Sequence, residues 1–253
     1  MAGRLGNKVC LVTGGGRGLG REIALAYARE GARAVAITFV SDRTRAEQTG
    51  RDIQAAGARV HLIEMDVRSR ASVNAGTERL FDAEKRIDVL VNNAGINKQG
   101  PINTVTEKDW DEIMAVNLRG PFSVSQEVLP VMVAQKSGRI INMASVAGLY
   151  GGPTTAHYAA SKAGLIALTQ VLARYGAEHN ILVNAIAPGI IETDMTREEL
   201  RAGGGARVIG LTLLKRPGQV GDVASLAVLL ASDEQNYMTG QTLSPNGGSH
   251  FTA

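Results

Sequence analysis

The chain has 253 residues, 44% of them hydrophobic, enough to fill the core of one large α/β domain without a second. Its formal charge of +3 is small and its arginines are interspersed with acids, so a pI near 9.1 does not mark a nucleic-acid binder. A single cysteine, Cys10, excludes an internal disulfide and a thiolate zinc site; no apolar run approaches the roughly 20 residues that span a bilayer, and the first residues lack the apolar core of a signal peptide, so no membrane role and a cytoplasmic setting are expected.

Short runs rich in Val, Ile and Leu alternate with longer amphipathic stretches from end to end, the rhythm of βαβ units around a parallel sheet. A strand is expected over 9–13, with Cys10 as a small buried member, then a helix over 19–30 closed by Gly31. A strand over 34–39, a helix over 43–56 closed by Gly57, a strand over 60–65, a helix over 70–86 and a strand over 89–92 follow. A helical run over 107–135 is expected to break near Gly120-Pro121. The remainder reads as a strand over 139–143, a helix over 156–179, a strand over 182–187, a helix over 220–231 and a last strand over 241–244. The expected fold is therefore α/β: one doubly wound (Rossmann) domain over 1–253, a seven-stranded parallel sheet with helices on both faces. The one irregular stretch, 190–216, contains Gly203-Gly204-Gly205 and follows a strand end, where open α/β sheets bind ligands, so it reads as a mobile substrate loop.

Thr13-Gly14-Gly15-Gly16-Arg17-Gly18-Leu19-Gly20 directly follows the first strand and opens the first helix. Backbone N–H groups and the positive helix end can there face a pyrophosphate, with glycine wherever a Cβ would block the turn or the phosphate. The end of the second strand reports which dinucleotide binds, since an acid would grip the ribose 2′-OH and repel a 2′-phosphate. Ile37-Thr38-Phe39-Val40-Ser41 contains no acid, whereas Arg17, Ser41, Arg43 and Arg45 can receive a phosphate. NADP(H) is therefore expected over NAD(H), with Asp42 as the residue that could overturn this. Asp66-Val67 and Asn92-Asn93-Ala94-Gly95 sit at the same carboxyl edge. Asp66 is placed to meet the adenine and Gly95 to let the chain pass close to the cofactor, while Asn92 either contacts ligand or ties neighbouring strand ends through its amide.

Tyr158 and Lys162 stand four residues apart in an alanine-rich helical stretch, so phenol and ammonium share one face. A nearby cation stabilises a phenolate, which makes such a tyrosine an acid or base near neutrality. Ser145 supplies a second hydroxyl upstream. His157 points about 100° away from its neighbour and reads as pocket lining or structural, and Glu192 and Asp194 lack the further ligands of a metal site, so no metal is expected.

The glycine loop, Asn92 to Gly95, and Ser145 with Tyr158-x-x-x-Lys162 resemble the short-chain dehydrogenase/reductase family over essentially the whole chain. Asn117, Pro188-Gly189, Thr193 and Asn246-Gly247-Gly248 also fall where that family has them. The resemblance implies hydride transfer between a nicotinamide dinucleotide and a carbonyl or alcohol. Tyr158 would donate the proton, Ser145 hold the carbonyl oxygen, Lys162 lower the Tyr158 pKa and hold the nicotinamide ribose, and Asn117 anchor a proton-relay water. The implied cofactor set runs from the glycine loop through Ser41, Arg43, Asp66, Val67, Asn93, Ala94 and Gly95 to Pro188, Gly189, Ile191 and Thr193, the last two at the carboxamide. A homotetramer is also implied.

Within the family, the strings at 91–96, 137–142, 158–165 and 187–195 are similar to β-ketoacyl-[acyl-carrier-protein] reductases. That likeness implies a 3-oxoacyl thioester or other ketone as substrate and an acyl carrier protein as candidate partner, met by basic residues such as Lys136. The alternatives are an NAD(H)-dependent secondary alcohol, polyol or hydroxysteroid dehydrogenase and a dinucleotide-binding protein without turnover. Substrate identity should lie in 146–155, where Leu149, Tyr150 and Gly151-Gly152-Pro153 suggest a pocket with an aromatic wall, and in 190–216.

Overall fold

Val9–Val12 (β1) divides its side chains between two cores, Cys10 and Val12 entering one and Val9 and Leu11 the other. This is the period-two alternation of a strand covered on both faces, and it is why the run is apolar throughout. The same holds for Ala34–Phe39 (β2), Val89–Asn92 (β4) and Gly138–Met143 (β5), every residue of which is buried. Arg59–Glu64 (β3) lies at one edge and is half-exposed; Ile181–Ile186 (β6) and the short Thr242–Leu243 (β7) complete the sheet. All pairings are parallel, in the order β3-β2-β1-β4-β5-β6-β7. Each strand end falls within one residue of its expected place. The structure, a computed structural model, describes residues 3–251 apart from 153, 202 and 203.

Helices cover both faces. Gly18–Arg29 (α1), Arg43–Ala55 (α2) and, later in the chain, Val220–Ala231 pack one core through Ile23, Tyr27, Ile53 and Ala227, and the Tyr27 hydroxyl donates to the Ala227 carbonyl at 3.1 Å. Arg70–Glu84 (α3), Glu107–Met114 (α4), Gly120–Gln135 (α5) and, after the four-residue Ala147–Tyr150 (α6), Ala156–Ala177 (α7) lie in the second half; α3, α5 and α7 fill the opposite core with Leu80, Val128, Met132 and Leu172. Gly31 and Gly57 take positive φ, +82° and +97°, directly after α1 and α2 end, as a left-handed C-cap requires.

Two expectations are corrected. No break interrupts 107–135: a π-helical turn over Ala115–Arg119 joins α4 to α5. Pro121 falls in the first turn of α5, where its missing N–H costs little. The stretch 190–216 is not irregular, since it forms Asp194–Arg201 (α8) and Gly204–Leu211 (α9), with Val220–Ala231 completing the series as α10. Gly203 and Pro153, named in the expected loop and pocket, lie outside the described residues.

At the amino edge of the sheet, Glu84 ends α3 with its carboxylate fully buried. Arg33, Arg59 and His61 converge on it at 2.7, 2.8 and 2.8 Å. Burial pushes this carboxyl up, but the hydrogen bonds from His61, Arg33 and Arg59 together outweigh it and hold it below the usual glutamate range. A carboxyl lowered on folding stabilises above its unfolded pKa and loses that contribution as pH falls through the folded one. Glu84→Gln should therefore cost about 1–3 kcal/mol at neutral pH. It should also flatten the acid limb of the stability profile below about pH 4.5, measured by denaturant titration across pH.

Candidate active site

The strand order reverses between β1 and β4, so a crevice opens at their carboxyl ends. Thr13 and Asn93 tie its two sides together. The Thr13 hydroxyl accepts from the N–H groups of Asn93 and Ala94, both at 3.0 Å. The Asn93 amide donates to the carbonyls of Thr13 and Gly14 at 2.9 and 3.1 Å. Asn93 was expected against the cofactor; its side chain is committed to holding the glycine loop. Asn92 resolves to the structural alternative, donating to Asn142 Oδ1 at 2.8 Å and Ser125 Oγ at 3.0 Å.

The loop's glycines divide into two kinds. At Gly15 and Gly20 an added Cβ would come within 2.5 Å of Ile37 Cγ2 and 2.4 Å of Asn93 Nδ2, so the protein's own packing forbids it. At Gly16 and Gly18 a Cβ would meet nothing nearer than 3.5 and 4.0 Å, leaving the backbone before α1 open to a phosphate. The residues present thus fit a dinucleotide. Arg17 is exposed at the N-cap of α1. Leu19 packs against the core beside it.

Beyond the end of β2, Ser41 is exposed, and Arg43 pairs with Glu64 at 3.0 Å and lies over the Phe39 ring. Both partners are about three-fifths exposed, 61% and 64%, so this pair is weak. Asp42 caps α2 by accepting from the Arg45 N–H at 3.1 Å. Asp66 lies beyond the end of β3 and is gripped by Arg68, whose hydrogen bonds hold its carboxyl below the usual range. Val67 is buried next to it.

Tyr158 and Lys162 lie on one face of α7, the ammonium nitrogen 5.6 Å from the phenol ring centre. Ser145 follows β5, its Oγ accepting from the Ala147 N–H at 3.2 Å. Burial pushes the Tyr158 phenol up, and the Ser145 hydroxyl draws it down by less. Lys162 is buried at 5% exposure, donates to the Met143 carbonyl at 2.6 Å, and is pushed down to about 8 by that burial. The phenol is therefore raised where Lys162 was expected to lower it, because desolvation governs both groups. Asn117 stands in the π-helical turn, its amide donating to the Ile96 carbonyl at 2.9 Å and Ser161 Oγ at 3.2 Å while accepting from the Ile96 N–H at 2.9 Å. Ser161 donates to the Tyr158 carbonyl at 2.7 Å, so Asn117 braces the helix that carries the pair. Gly95 belongs to the same cluster; a Cβ there would lie 3.4 Å from Asn117 Oδ1 and 3.6 Å from Lys162 Nζ.

The loop after β6 closes the crevice. The Pro188 carbonyl accepts from the Val146 N–H at 3.1 Å, and the Gly189 N–H donates to the Pro245 carbonyl at 3.1 Å. Pro245 thus serves as an acceptor, which needs no N–H. Ile191 is buried, and the Thr193 N–H donates to Thr196 Oγ1 at 3.0 Å. His157 is buried in α7, and Glu192 accepts from Gln219.

Sequence reasoning missed Thr13 as the loop's anchor, Ser161, and Gly148. At Gly148 a Cβ would stand 2.7 Å from the Lys162 carbonyl carbon and 2.8 Å from the Ala163 nitrogen, so α6 rests directly on the α7 backbone. Ser161 sits inside the Tyr158-x-x-x-Lys162 string and Thr13 opens the glycine string, so both had a visible signal, whereas Gly148 had none.

Residues 8–203 match the short chain dehydrogenase family model. The 3-oxoacyl-[acyl-carrier-protein] reductase of Thermotoga maritima is 40% identical over 245 residues, 97% of this chain and 98% of that protein, and its Aquifex aeolicus counterpart is 40% identical over 249 residues. Among solved structures, a protein of Sinorhizobium meliloti assigned as a short-chain alcohol dehydrogenase superposes with TM-score 0.92 at 36% identity, covering 97% of each chain. One from Agrobacterium tumefaciens assigned as a gluconate dehydrogenase reaches 0.93 at 32% identity, covering 97% of this chain and 96% of that one. The chain belongs to the short chain dehydrogenase family and is an oxidoreductase.

Proposed function

We propose that this oxidoreductase uses NADP(H) to reduce the carbonyl of a 3-oxoacyl thioester or related ketone to a secondary alcohol. The observation that carries the reading is the gathering of Tyr158, Lys162, Ser145 and Asn117 at the carboxyl edge of the sheet, beside a glycine loop open to phosphate. The dinucleotide supplies the hydride. Tyr158, a phenol and so protonated at neutral pH, gives its hydroxyl proton to the substrate oxygen. Ser145 donates a hydrogen bond to that oxygen as charge develops. Lys162 holds the ribose and stabilises the tyrosine after proton loss, and Asn117 keeps α7 in register while anchoring the water that returns a proton to the lysine.

The absence of an acid at 37–41, together with exposed Arg17, supports NADP(H) over NAD(H). Gly16 and Gly18 face the pyrophosphate, with Gly14 and Gly20 closing the loop around it, and Ile191 and Thr193 meet the carboxamide in this reading. The acyl-thioester assignment rests on the two reductase relatives, and an acyl carrier protein is the corresponding partner. Assembly into a homotetramer is supported by the partly exposed Phe122, Val171 and Tyr175 on α5 and α7. Among the described residues no helix is long and apolar enough to cross a membrane.

Tyr158→Phe should leave NADPH affinity within about twofold while kcat falls by two orders of magnitude or more. The check is NADPH consumption with acetoacetyl thioester and a ketone panel, NADH run in parallel; full turnover in the variant, or a preference for NADH, defeats the corresponding part of the reading. A second expectation concerns pH. Burial pushes Lys162 down to about 8 in the folded chain, against an ordinary lysine value of about 10.5, so between these values the unfolded chain holds more protons and stability rises with pH. Relative to Lys162→Met, the wild type should gain about 2 kcal/mol from pH 8 to 10, read by denaturant unfolding.

A further inference from the structure

Helices α2 and α8 begin on opposite sides of the crevice, and one ion pair joins them. Arg45 Nη1 stands 3.0 Å from Asp194 Oδ2, between residues 149 apart in the chain. The same guanidinium lies 3.3 Å from Asp42 Oδ2 through its Nε, and Arg197 Nη1 lies 2.8 Å from Asp194 Oδ1. Just before Asp194 the chain passes over the glycine loop, where the nearest neighbour of a Cβ on Gly18 would be Thr193. The pair therefore fastens the segment that would cover the nicotinamide to the segment that would receive a 2′-phosphate.

This strap is built to be exchanged. Arg45 is 49% and Asp194 36% exposed, so water screens their attraction and little is lost when it breaks. A phosphate monoester carries close to two charges and three acceptor oxygens against the single charge of a carboxylate, and it is the stronger partner for a guanidinium. Asp194 also reduces the positive field that a 2′-phosphate meets on arrival. The carboxylates facing Arg45 are those of Asp42 and Asp194, on α2 and α8.

We propose that Asp194 and the 2′-phosphate of NADP(H) compete for Arg45, which makes Asp194 a determinant of cofactor specificity. Arrival of the phosphate unfastens α8 from α2, whereas a dinucleotide without it leaves the strap closed. The substrate-side segment thereby registers which dinucleotide lies in the crevice. This rests on the NADP(H) reading above.

The test uses adenosine 2′,5′-bisphosphate and 5′-AMP as probes, titrated calorimetrically into the wild type, Asp194→Asn, Arg45→Gln and the double variant. Asp194→Asn should tighten the bisphosphate about three- to tenfold and leave 5′-AMP unchanged. Arg45→Gln should weaken the bisphosphate, and adding Asp194→Asn to it should then change nothing. Tryptic cleavage within 194–201 should be accelerated in the wild type by the bisphosphate and not by 5′-AMP. Unchanged or weaker bisphosphate binding by Asp194→Asn, an effect that persists without Arg45, or cleavage indifferent to the probe overturns the competition alone. A wild type that binds the two probes equally overturns the NADP(H) reading and the competition with it.

Discussion

The knot between Thr13 and Asn93 is the constraint on which the crevice depends. A doubly wound sheet has two halves that grow in opposite directions from β1 and β4, and nothing in the strand ladder fixes how the loops beyond those strands sit against each other. Here one hydroxyl and one amide nitrogen do so, each bonded to two backbone groups of the opposite loop. Glycine at positions 15 and 20 follows from this closeness, because the loop is pressed onto Ile37 below and Asn93 beside it. The open backbone at Gly16 and Gly18 is what remains once the knot is tied.

A second network acts on the other half. Asn117 spans Ile96 and Ser161, and Ser161 reaches the Tyr158 carbonyl, so the strand end, the π-helical turn and α7 are one hydrogen-bonded body. Widened turns of this type recur at functional positions, and here the turn carries the asparagine to a place where both its amide atoms are used. The cost falls on Lys162. Its ammonium is drawn from water and donates to the Met143 carbonyl, and burial lowers its pKa accordingly.

The parts legible from sequence were those with a local signature. Strands buried on both faces read as unbroken Val, Ile and Leu, and the i, i+4 spacing of Tyr158 and Lys162 needed only helical geometry. Helices α6, α8 and α9 had no such signature: they are short, and Gly148 and Gly204-Gly205 argue locally against helix, so tertiary contacts decide. The same limit explains the phenol. Sequence shows a cation one turn away but not the depth at which both groups lie, and depth reversed the expected shift. The pairing of Arg43 with Glu64 was invisible for a similar reason, the partner being on a neighbouring strand. Pairs such as Arg45 with Asp194 leave no local trace at all.

The two-residue β7 and the turn after it carry a consequence for how damage would spread. The Ser244 hydroxyl donates to the Ala187 carbonyl, and the Pro245 carbonyl holds the Gly189 N–H, so the shelf beside the crevice is braced by residues far along the chain. A lesion confined to β7 and this turn would therefore loosen the wall after β6 and spare the glycine loop, which keeps its own anchor in Thr13 and Asn93.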